Sequence, residues 1–287
     1  MADVRTVTPA GGSLGGRIGV PGDKSIAHRA LIFNAIAAGE ARIAGMPCGA
    51  DVESTARALR CLGVGIEEEG IGEVSLTGTQ LVLRKPAGVI DCGNSATTMR
   101  LLAGLLAGQS FDSILDGDRS LRRRPMRRVA LPLEGMGARV ETDSGTAPLS
   151  VYGRPLLGAS HALEVASAQI KSALLLAGMQ ARGRTEISEP RQSRDHSERM
   201  LAAMGVEFER NEARVAVEGP VCPRAMDVEI CGDLSSAAFP VVAAAMLPGS
   251  EITIEKVGLN PTRMGFVGVL RRMGADISTV PKGESGG

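Results

Sequence analysis

The sequence predicts an α/β fold built from a repeated unit of about 70 residues. The phrase Leu-x-x-Leu/Met-Gly-Val/Ala-x-apolar occurs four times in 287 residues, and its glycines are 74, 68 and 69 residues apart. Self-similarity at a nearly constant interval indicates a repeated supersecondary unit. Within each interval, apolar stretches with helical spacing alternate with short strand-like stretches, which is the pattern of an α/β fold.

Each unit opens with a loop of small and polar residues that leads directly into an apolar helix. These loops are residues 22–25, 93–98, 167–169 and 232–236. Ser, Thr, Asn and Asp are the usual N-cap residues, and the free N–H groups of a helix N-terminus attract anions. One such loop indicates only a cap. Equivalent loops in repeated units are expected to lie together, so the sequence predicts a composite anion site.

The rest of each unit follows from periodicity and from its glycine. Alternating stretches such as 41–43 and 251–254 predict a strand after the apolar helix. Val52, Ala56 and Leu59 have the spacing of an amphipathic helix, which the following glycine ends in a left-handed conformation. We expect a strand after each of the four glycines, Gly63, Gly137, Gly205 and Gly274. Hairpin strands such as 206–208 and 214–217 complete the predicted order β-α-β-α-β-β.

A chain of 287 residues exceeds what one hydrophobic core usually supports. The repeats predict a complete three-unit domain at 21–231. Residues 1–20 and 232–287 are expected to form an incomplete second domain, and residues 281–287 resemble a loop cut off in mid-course.

The composition excludes several classes of protein. Hydrophobic residues make up 44%, charged residues 22%, and the mean hydropathy is +0.08, as in ordinary globular proteins. The apolar runs are too short for a membrane span and the N-terminus has no signal core, so we expect a cytoplasmic protein. Lys plus Arg equals Asp plus Glu at 32 each, which gives no overall attraction to nucleic acid or membrane. Five cysteines without a C-x-x-C pair indicate neither a disulfide framework nor a zinc site.

Cations accompany two of the loops. Lys24, Ser25 and Arg29 place a hydroxyl and two cations near one helix start, where they could converge on a carboxylate or a phosphate. Residues 119–128 contain six arginines. That run is either a charged surface loop or an anion site, and a nucleic-acid patch is disfavoured because aromatic residues are missing. His28 is interpreted as structural, and Ser193 or Asp195 as the cap of a helix.

Six motifs together resemble those of the 5-enolpyruvylshikimate-3-phosphate (EPSP) synthase family, in order and spacing, over nearly the whole chain. They are residues 21–29, 93–100, 124–126, 167–172, 194–196 and 260–263. The resemblance implies two similar domains of three units each in an inside-out α/β barrel, with four of the six units present here. It also implies a transferase of the shikimate pathway, which leads to chorismate and the aromatic amino acids. The family moves the enolpyruvyl group of phosphoenolpyruvate to the 5-hydroxyl of shikimate 3-phosphate, releases phosphate, and requires no metal or organic cofactor.

The resemblance also assigns roles to individual positions. Those expected to bind shikimate 3-phosphate are Lys24, Ser25, Arg29, Ser167, Ala168, Gln169 and Arg194. Those expected to bind phosphoenolpyruvate are Asn94, Ala96, Arg124 and, shared with the other substrate, Lys24 and Gln169. Lys24 is the catalytic candidate. No role is expected for Arg122, Arg123, Arg127 and Arg128.

The acid/base Asp and Glu of the family lie in its fifth and sixth units, which this chain is expected to lack. We therefore expect the 287-residue chain to be inactive by itself. The complete protein is expected to be a monomer, or this chain to be complemented by a C-terminal chain. The alternative is a non-catalytic anion-binding part of that enzyme: a split enzyme, a pseudogene product or a truncated gene model. The related transferase that acts on a UDP-sugar is set aside, because Ser25 and Arg119 replace its usual Asn and reactive Cys.

Ala96 stands where much of the family has glycine. Its methyl group is expected to fill part of the phosphoenolpyruvate pocket and to hinder the longer inhibitor glyphosate more than the substrate. The sequence therefore predicts glyphosate tolerance.

Overall fold

The structure is a computed structural model that describes residues 11–283. Its helices are α1 (Lys24–Ile36), α2 (Ala50–Cys61), α3 (Ala96–Ala107), α4 (Arg127–Gly135), α5 (Ala168–Gly178), α6 (His196–Ala203), α7 (Leu234–Met246) and α8 (Gly265–Arg272). Its strands are β1 (Gly15–Ile18), β2 (Glu40–Ala44), β3 (Gly65–Gly70), β4 (Glu73–Thr77), β5 (Ile90–Asp91), β6 (Asp112–Asp116), β7 (Arg139–Asp143), β8 (Thr146–Tyr152), β9 (Ser160–Ala162), β10 (Gly183–Ser188), β11 (Phe208–Arg210), β12 (Arg214–Gly219), β13 (Val228–Glu229) and β14 (Glu251–Ile254). The predicted α/β class is confirmed. None of the described helices is long and apolar enough to cross a membrane.

The described chain divides into two compact units. The larger unit is Gly22–Ile230, and the smaller one combines residues 11–21 with Cys231–Gly283. In the smaller unit β1 pairs in parallel with β14, and Asp233 caps the start of α7 by accepting a hydrogen bond from Ser235 N at 2.8 Å. That one unit is a complete domain and the other an incomplete one stays a prediction, as does the number of repeats.

The larger unit repeats one sheet topology three times among its described residues. The strand orders are β13-β2-β4-β3, β5-β6-β8-β7 and β9-β10-β12-β11. In each sheet the first two strands are parallel and the last two form an antiparallel hairpin. In the first sheet, strand β13 at the end of the unit pairs with β2, Val228 opposite Ile43. The last segment of the unit therefore completes the sheet of its first repeat.

Two kinds of helix build the core of this unit. Helices α1, α3 and α5 are buried around most of their circumference, as expected for helices that are apolar on every side. Helices α2, α4 and α6 bury one face each. Helices α3 and α5 approach so closely that a Cβ atom on Gly104 would lie 2.1 Å from the carbonyl oxygen of Ala173. The starts of the three buried helices are the places where the predicted anion loops lie.

The four glycines of the repeated phrase adopt the left-handed conformation that the sequence predicts. The φ angles of Gly63, Gly137, Gly205 and Gly274 are 88°, 90°, 87° and 97°. The strand predicted after the last of them is wrong, because residues 275–283 contain no strand. In the other repeats the strand after the glycine pairs with a later strand in a hairpin, and no partner of that kind lies within the described tail. The third hairpin begins at Phe208 rather than at the predicted Val206.

Candidate active site

The loops that open α1, α3 and α5 each end in a side-chain cap. Asp23 accepts a hydrogen bond from Ile26 N at 3.0 Å, Ser95 from Thr98 N at 3.1 Å and Ser167 from Ile170 N at 3.4 Å. A cap of this kind satisfies one of the free N–H groups of the first helical turn and leaves others available. The three loops therefore begin helices as predicted.

Arg29 and Arg194 connect the loops at the starts of α1, α5 and α6. Arg194 Nη1 donates to Ser25 Oγ at 3.1 Å. Arg29 is buried, and its guanidinium donates to Ser25 O at 2.9 Å, Ser197 Oγ at 2.7 Å and Ser172 Oγ at 2.8 Å. Arg29 thus holds three helices together here. Its contact with a ligand stays a prediction.

An open depression of about 410 Å³ lies beside Arg194. Its walls are the start of α5 and the loop before α6, that is, residues 166–169 and 191–194. Four predicted site residues therefore meet here: Ser167, Ala168, Gln169 and Arg194. Two arginines, Arg191 and Arg194, supply the positive charge that a phosphate requires.

A second group forms at the start of α3. Arg124 Nη2 donates to Asn94 Oδ1, and Asn94 Nδ2 donates to Asp118 Oδ2 at 2.6 Å. Ala96 is the first residue of α3 and is buried. The structure thus places Asn94 and Ala96 at the start of α3, with Arg124 bonded to Asn94.

Gln169 joins the two groups. Its Nε2 donates to Thr97 Oγ1 at 2.8 Å, and its Oε1 accepts from Arg100 Nη1. Arg100 Nη2 also donates to the carbonyl oxygen of Pro125, at 3.0 Å, next to Arg124. Hydrogen bonds therefore connect the start of α5 to α3, and α3 to the residue that follows Arg124.

Arg100 is a residue that the sequence analysis left without a role. It lies one helical turn after Ala96 and so on the same face of α3. That spacing could have indicated that Arg100 belongs to the site. Burial, and then the charges of Arg124 and Arg128, lower the pKa of the Arg100 guanidinium. Positive charges held this close together repel one another, and an anion bound among them relieves that repulsion.

Lys24 lies in neither group of hydrogen bonds. Its Nζ is 2.9 Å from Asp51 Oδ2 at the start of α2, and its side chain is 53% exposed. Exposed ion pairs of this kind contribute little to stability, so a bound anion can compete with Asp51 for the ammonium group.

A buried polar chain lies beneath the starts of α1, α2 and α3. His28 Nδ1 is 2.6 Å from Thr55 Oγ1, which is 2.6 Å from Thr98 Oγ1, and Thr98 Oγ1 donates to the capping Ser95 at 2.7 Å. Burial, and then the neighbouring Arg29, lower the pKa of His28 to about 3. A neutral, fully buried imidazole agrees with the structural interpretation of His28.

Asp195, one of the two predicted caps, lies at the start of α6, although its side chain makes no capping hydrogen bond. Asp195 occupies the N-cap position of α6, and its carboxylate accepts from Arg199 Nε at 2.8 Å. Ser193 Oγ instead donates to the carboxylate of Glu189 at 2.8 Å.

The chain resembles one family of known proteins in sequence and in fold. A model of the family EPSP synthase (3-phosphoshikimate 1-carboxyvinyltransferase) matches residues 9–285. The 3-phosphoshikimate 1-carboxyvinyltransferases of Alkalilimnicola ehrlichii and Acidithiobacillus ferrooxidans are 54% and 49% identical over 280 and 286 residues, which are 96% and 99% of this chain. A solved structure of EPSP synthase from Acinetobacter baumannii matches 97% of the chain at 42% identity with a TM-score of 0.90. The chain spans 63% to 66% of the length of these proteins.

His28 makes the stability of the protein depend on pH in a defined direction. The pKa of its imidazole is depressed in the folded state, so its stabilising effect is complete above the unfolded pKa of about 6.5 and is lost as the pH falls toward 3. Over that range the free energy of unfolding should fall by about 1.4 kcal/mol per pH unit because of this residue. We expect His28→Asn to flatten the slope, measured by denaturant unfolding at several pH values.

The same substitution at the half-buried His161 serves as the matched control. It should change the slope less, because that imidazole is less desolvated. If His28→Asn leaves the slope of the wild type unaltered, the buried imidazole is not the group that takes up the proton.

Proposed function

This chain belongs to the EPSP synthase family, and on that premise we propose that it binds shikimate 3-phosphate and phosphoenolpyruvate for transfer of the enolpyruvyl group. Phosphate is the second product of that transfer. The observation that carries the proposal is the position of Gln169, which is hydrogen-bonded to Thr97 on one side and to Arg100 on the other. A loop suited to one substrate thus meets the loop suited to the other, and holding two reactants side by side removes much of the entropic barrier to their reaction.

The shikimate 3-phosphate side of this proposal is the depression beside Arg194. A phosphate there would meet the guanidinium of Arg194, the hydroxyl of Ser25 and the positive end of α5. The buried Arg29 fixes the position of Ser25, because its guanidinium donates to the carbonyl oxygen of Ser25 and to the hydroxyls of Ser172 and Ser197. Its role in binding is accordingly one of orientation.

The phosphoenolpyruvate side is the group around Arg124. That substrate carries a carboxylate and a phosphate, and the neighbouring Arg100, Arg124 and Arg128 provide positive charge for them. Lys24 is adjacent in sequence to Ser25, and it can exchange Asp51 for a substrate anion. We assign it the role of stabilising charge that develops on phosphoenolpyruvate during transfer.

The residues of the two proposed substrate sites would bind and orient anions, so ligand binding is the property to measure first. No observation favours a purely non-catalytic anion-binding protein over the synthase. A cytoplasmic location and a monomeric state belong to the same proposal.

Arg194 should dominate the affinity for shikimate 3-phosphate. Arg194→Gln removes a charge-assisted contact worth about 1.5 to 3 kcal/mol, so the dissociation constant should rise roughly ten- to hundredfold. Isothermal titration of the 287-residue chain measures this. The control is Arg139→Gln, which removes another exposed charge, from β7, where Arg139 pairs with Glu141. Absence of any heat from the wild type at millimolar ligand would contradict the proposed function, and equal affinities would contradict the role of Arg194.

Ala96 should determine the response to glyphosate. Removing one buried methyl group with Ala96→Gly relieves overpacking worth about 1 to 3 kcal/mol, so glyphosate should bind roughly five- to more than a hundredfold more tightly. The effect on phosphoenolpyruvate should be smaller, because that molecule is more compact. Inhibition constants in a synthase that carries this sequence, with and without the substitution, test the expectation. Equal sensitivity of the two forms would make Ala96 a packing residue only.

A further inference from the structure

A buried group of three charges adjoins the two loops that form the walls of the depression. Lys171 Nζ is 2.8 Å from Glu189 Oε2 and 2.7 Å from Glu198 Oε1, and the three side chains are only 3% to 6% exposed. Charges removed from water need partners, and one ammonium group here serves two carboxylates. The synthase proposal above uses none of the three residues.

The two carboxylates differ in what else they hold. Glu189 Oε1 accepts a hydrogen bond from Ser167 N at 2.9 Å, and its Oε2 accepts from Ser193 Oγ at 2.8 Å and Ser193 N at 3.3 Å. Glu198 Oε2 is buried without a hydrogen-bond partner among the described residues. Glu189 therefore contacts both walls of the depression. Of the other two charged residues of the group, Glu198 is bonded to Lys171.

We propose that Glu189 is a positioning residue for the anion site. Its carboxylate accepts hydrogen bonds from the loop that begins α5 and from the loop that carries Arg194, and so fixes the position of one loop relative to the other. Lys171 supplies positive charge that reduces the repulsion between this carboxylate and a bound phosphate. The proposal rests on the proposed function, because the ligand whose binding it explains is shikimate 3-phosphate.

Electrostatics explain why a carboxylate can occupy this place. Unneutralised, it would repel the phosphate that the loops are meant to bind. Lys171 offsets much of that charge at a distance of 2.8 Å, although it shares its ammonium group with Glu198. Burial opposes the ionised form, yet the bonds from Lys171 and Ser193 outweigh it, so the pKa of Glu189 is lower than its ordinary value. An ionised Glu189 accepts from both loops at once, which a neutral side chain of the same shape cannot do.

The chain offers a matched pair of substitutions. Glu189→Gln and Glu198→Gln each remove one of the two carboxylates bonded to Lys171, keep the side-chain shape and leave one ion pair intact. In Glu189→Gln, moreover, either orientation of the amide sets its NH2 group against an N–H donor, Ser167 N on one side or Lys171 Nζ and Ser193 N on the other. A loss of stability should therefore be common to both variants, whereas loosening of the two loops should occur only with Glu189→Gln.

Hydrogen exchange and ligand titration on the full chain distinguish these effects. In Glu189→Gln we expect amide exchange of the segments 163–170 and 190–195 to rise by about tenfold or more. The dissociation constant for shikimate 3-phosphate should rise by a similar factor of about ten or more. Glu198→Gln should leave both quantities within about threefold of the wild type. Glu189→Asp, which keeps the charge with a shorter reach, should recover part of the affinity.

Each other outcome overturns a specific statement. Wild-type exchange and affinity in Glu189→Gln would overturn the inference, and so would equal losses in both variants, since that would be a general effect of the buried charges. If the wild type does not bind shikimate 3-phosphate, the proposed function fails, while the exchange rates still decide whether Glu189 holds the loops. If Glu189→Gln does not fold, Ser193→Ala replaces it. That variant removes the hydroxyl bond to Glu189, and unchanged exchange and affinity would again overturn the inference.

Discussion

Helices α3 and α5 meet at Gly104, where the backbone of one helix lies against the backbone of the other. Any side chain at this position would lie within 2.1 Å of the carbonyl oxygen of Ala173. A glycine inside a helix costs roughly 0.5 to 1 kcal/mol relative to alanine, and close packing of two buried helices offsets that cost. The same approach brings Thr97 within reach of Gln169, so the loops at the starts of α3 and α5 meet only because these helices lie so close.

The interior is apolar along the length of these helices and polar near their starts. His28, Thr55 and Thr98 form one hydrogen-bonded chain there. Arg29, Ser172 and Ser197 form another. Buried polar networks of this kind are costly if any member is lost, but when satisfied they fix side chains in one arrangement. The loops above them are thus held in place before a ligand arrives, which reduces the entropic cost of binding.

Local features of the fold could be predicted from the sequence, and non-local ones could not. The glycines that end the amphipathic helices and the caps that begin the apolar ones depend on neighbouring residues, so their positions were predicted correctly. The pairing of β13 with β2 joins segments about 185 residues apart, and no periodicity indicates it. The strand expected after Gly274 failed for the same reason, because a strand needs a partner that local sequence does not supply.

The same division applies to the site. Asn94, Ser167 and Gln169 lie at helix starts, as the loop pattern predicted, and their contact with a ligand stays a prediction. The sequence did not indicate that Arg29 would be buried and bonded to Ser172 and Ser197, and its expected contact with a ligand stays a prediction. Glu189 belongs to no motif, since its role depends on burial and on its bond to Lys171.

A crystal structure of the chain with shikimate 3-phosphate tests the central claim most directly. We expect the phosphate in the depression, in contact with Ser167, Gln169 or Arg194. A ligand bound elsewhere at saturating concentration would contradict the claim.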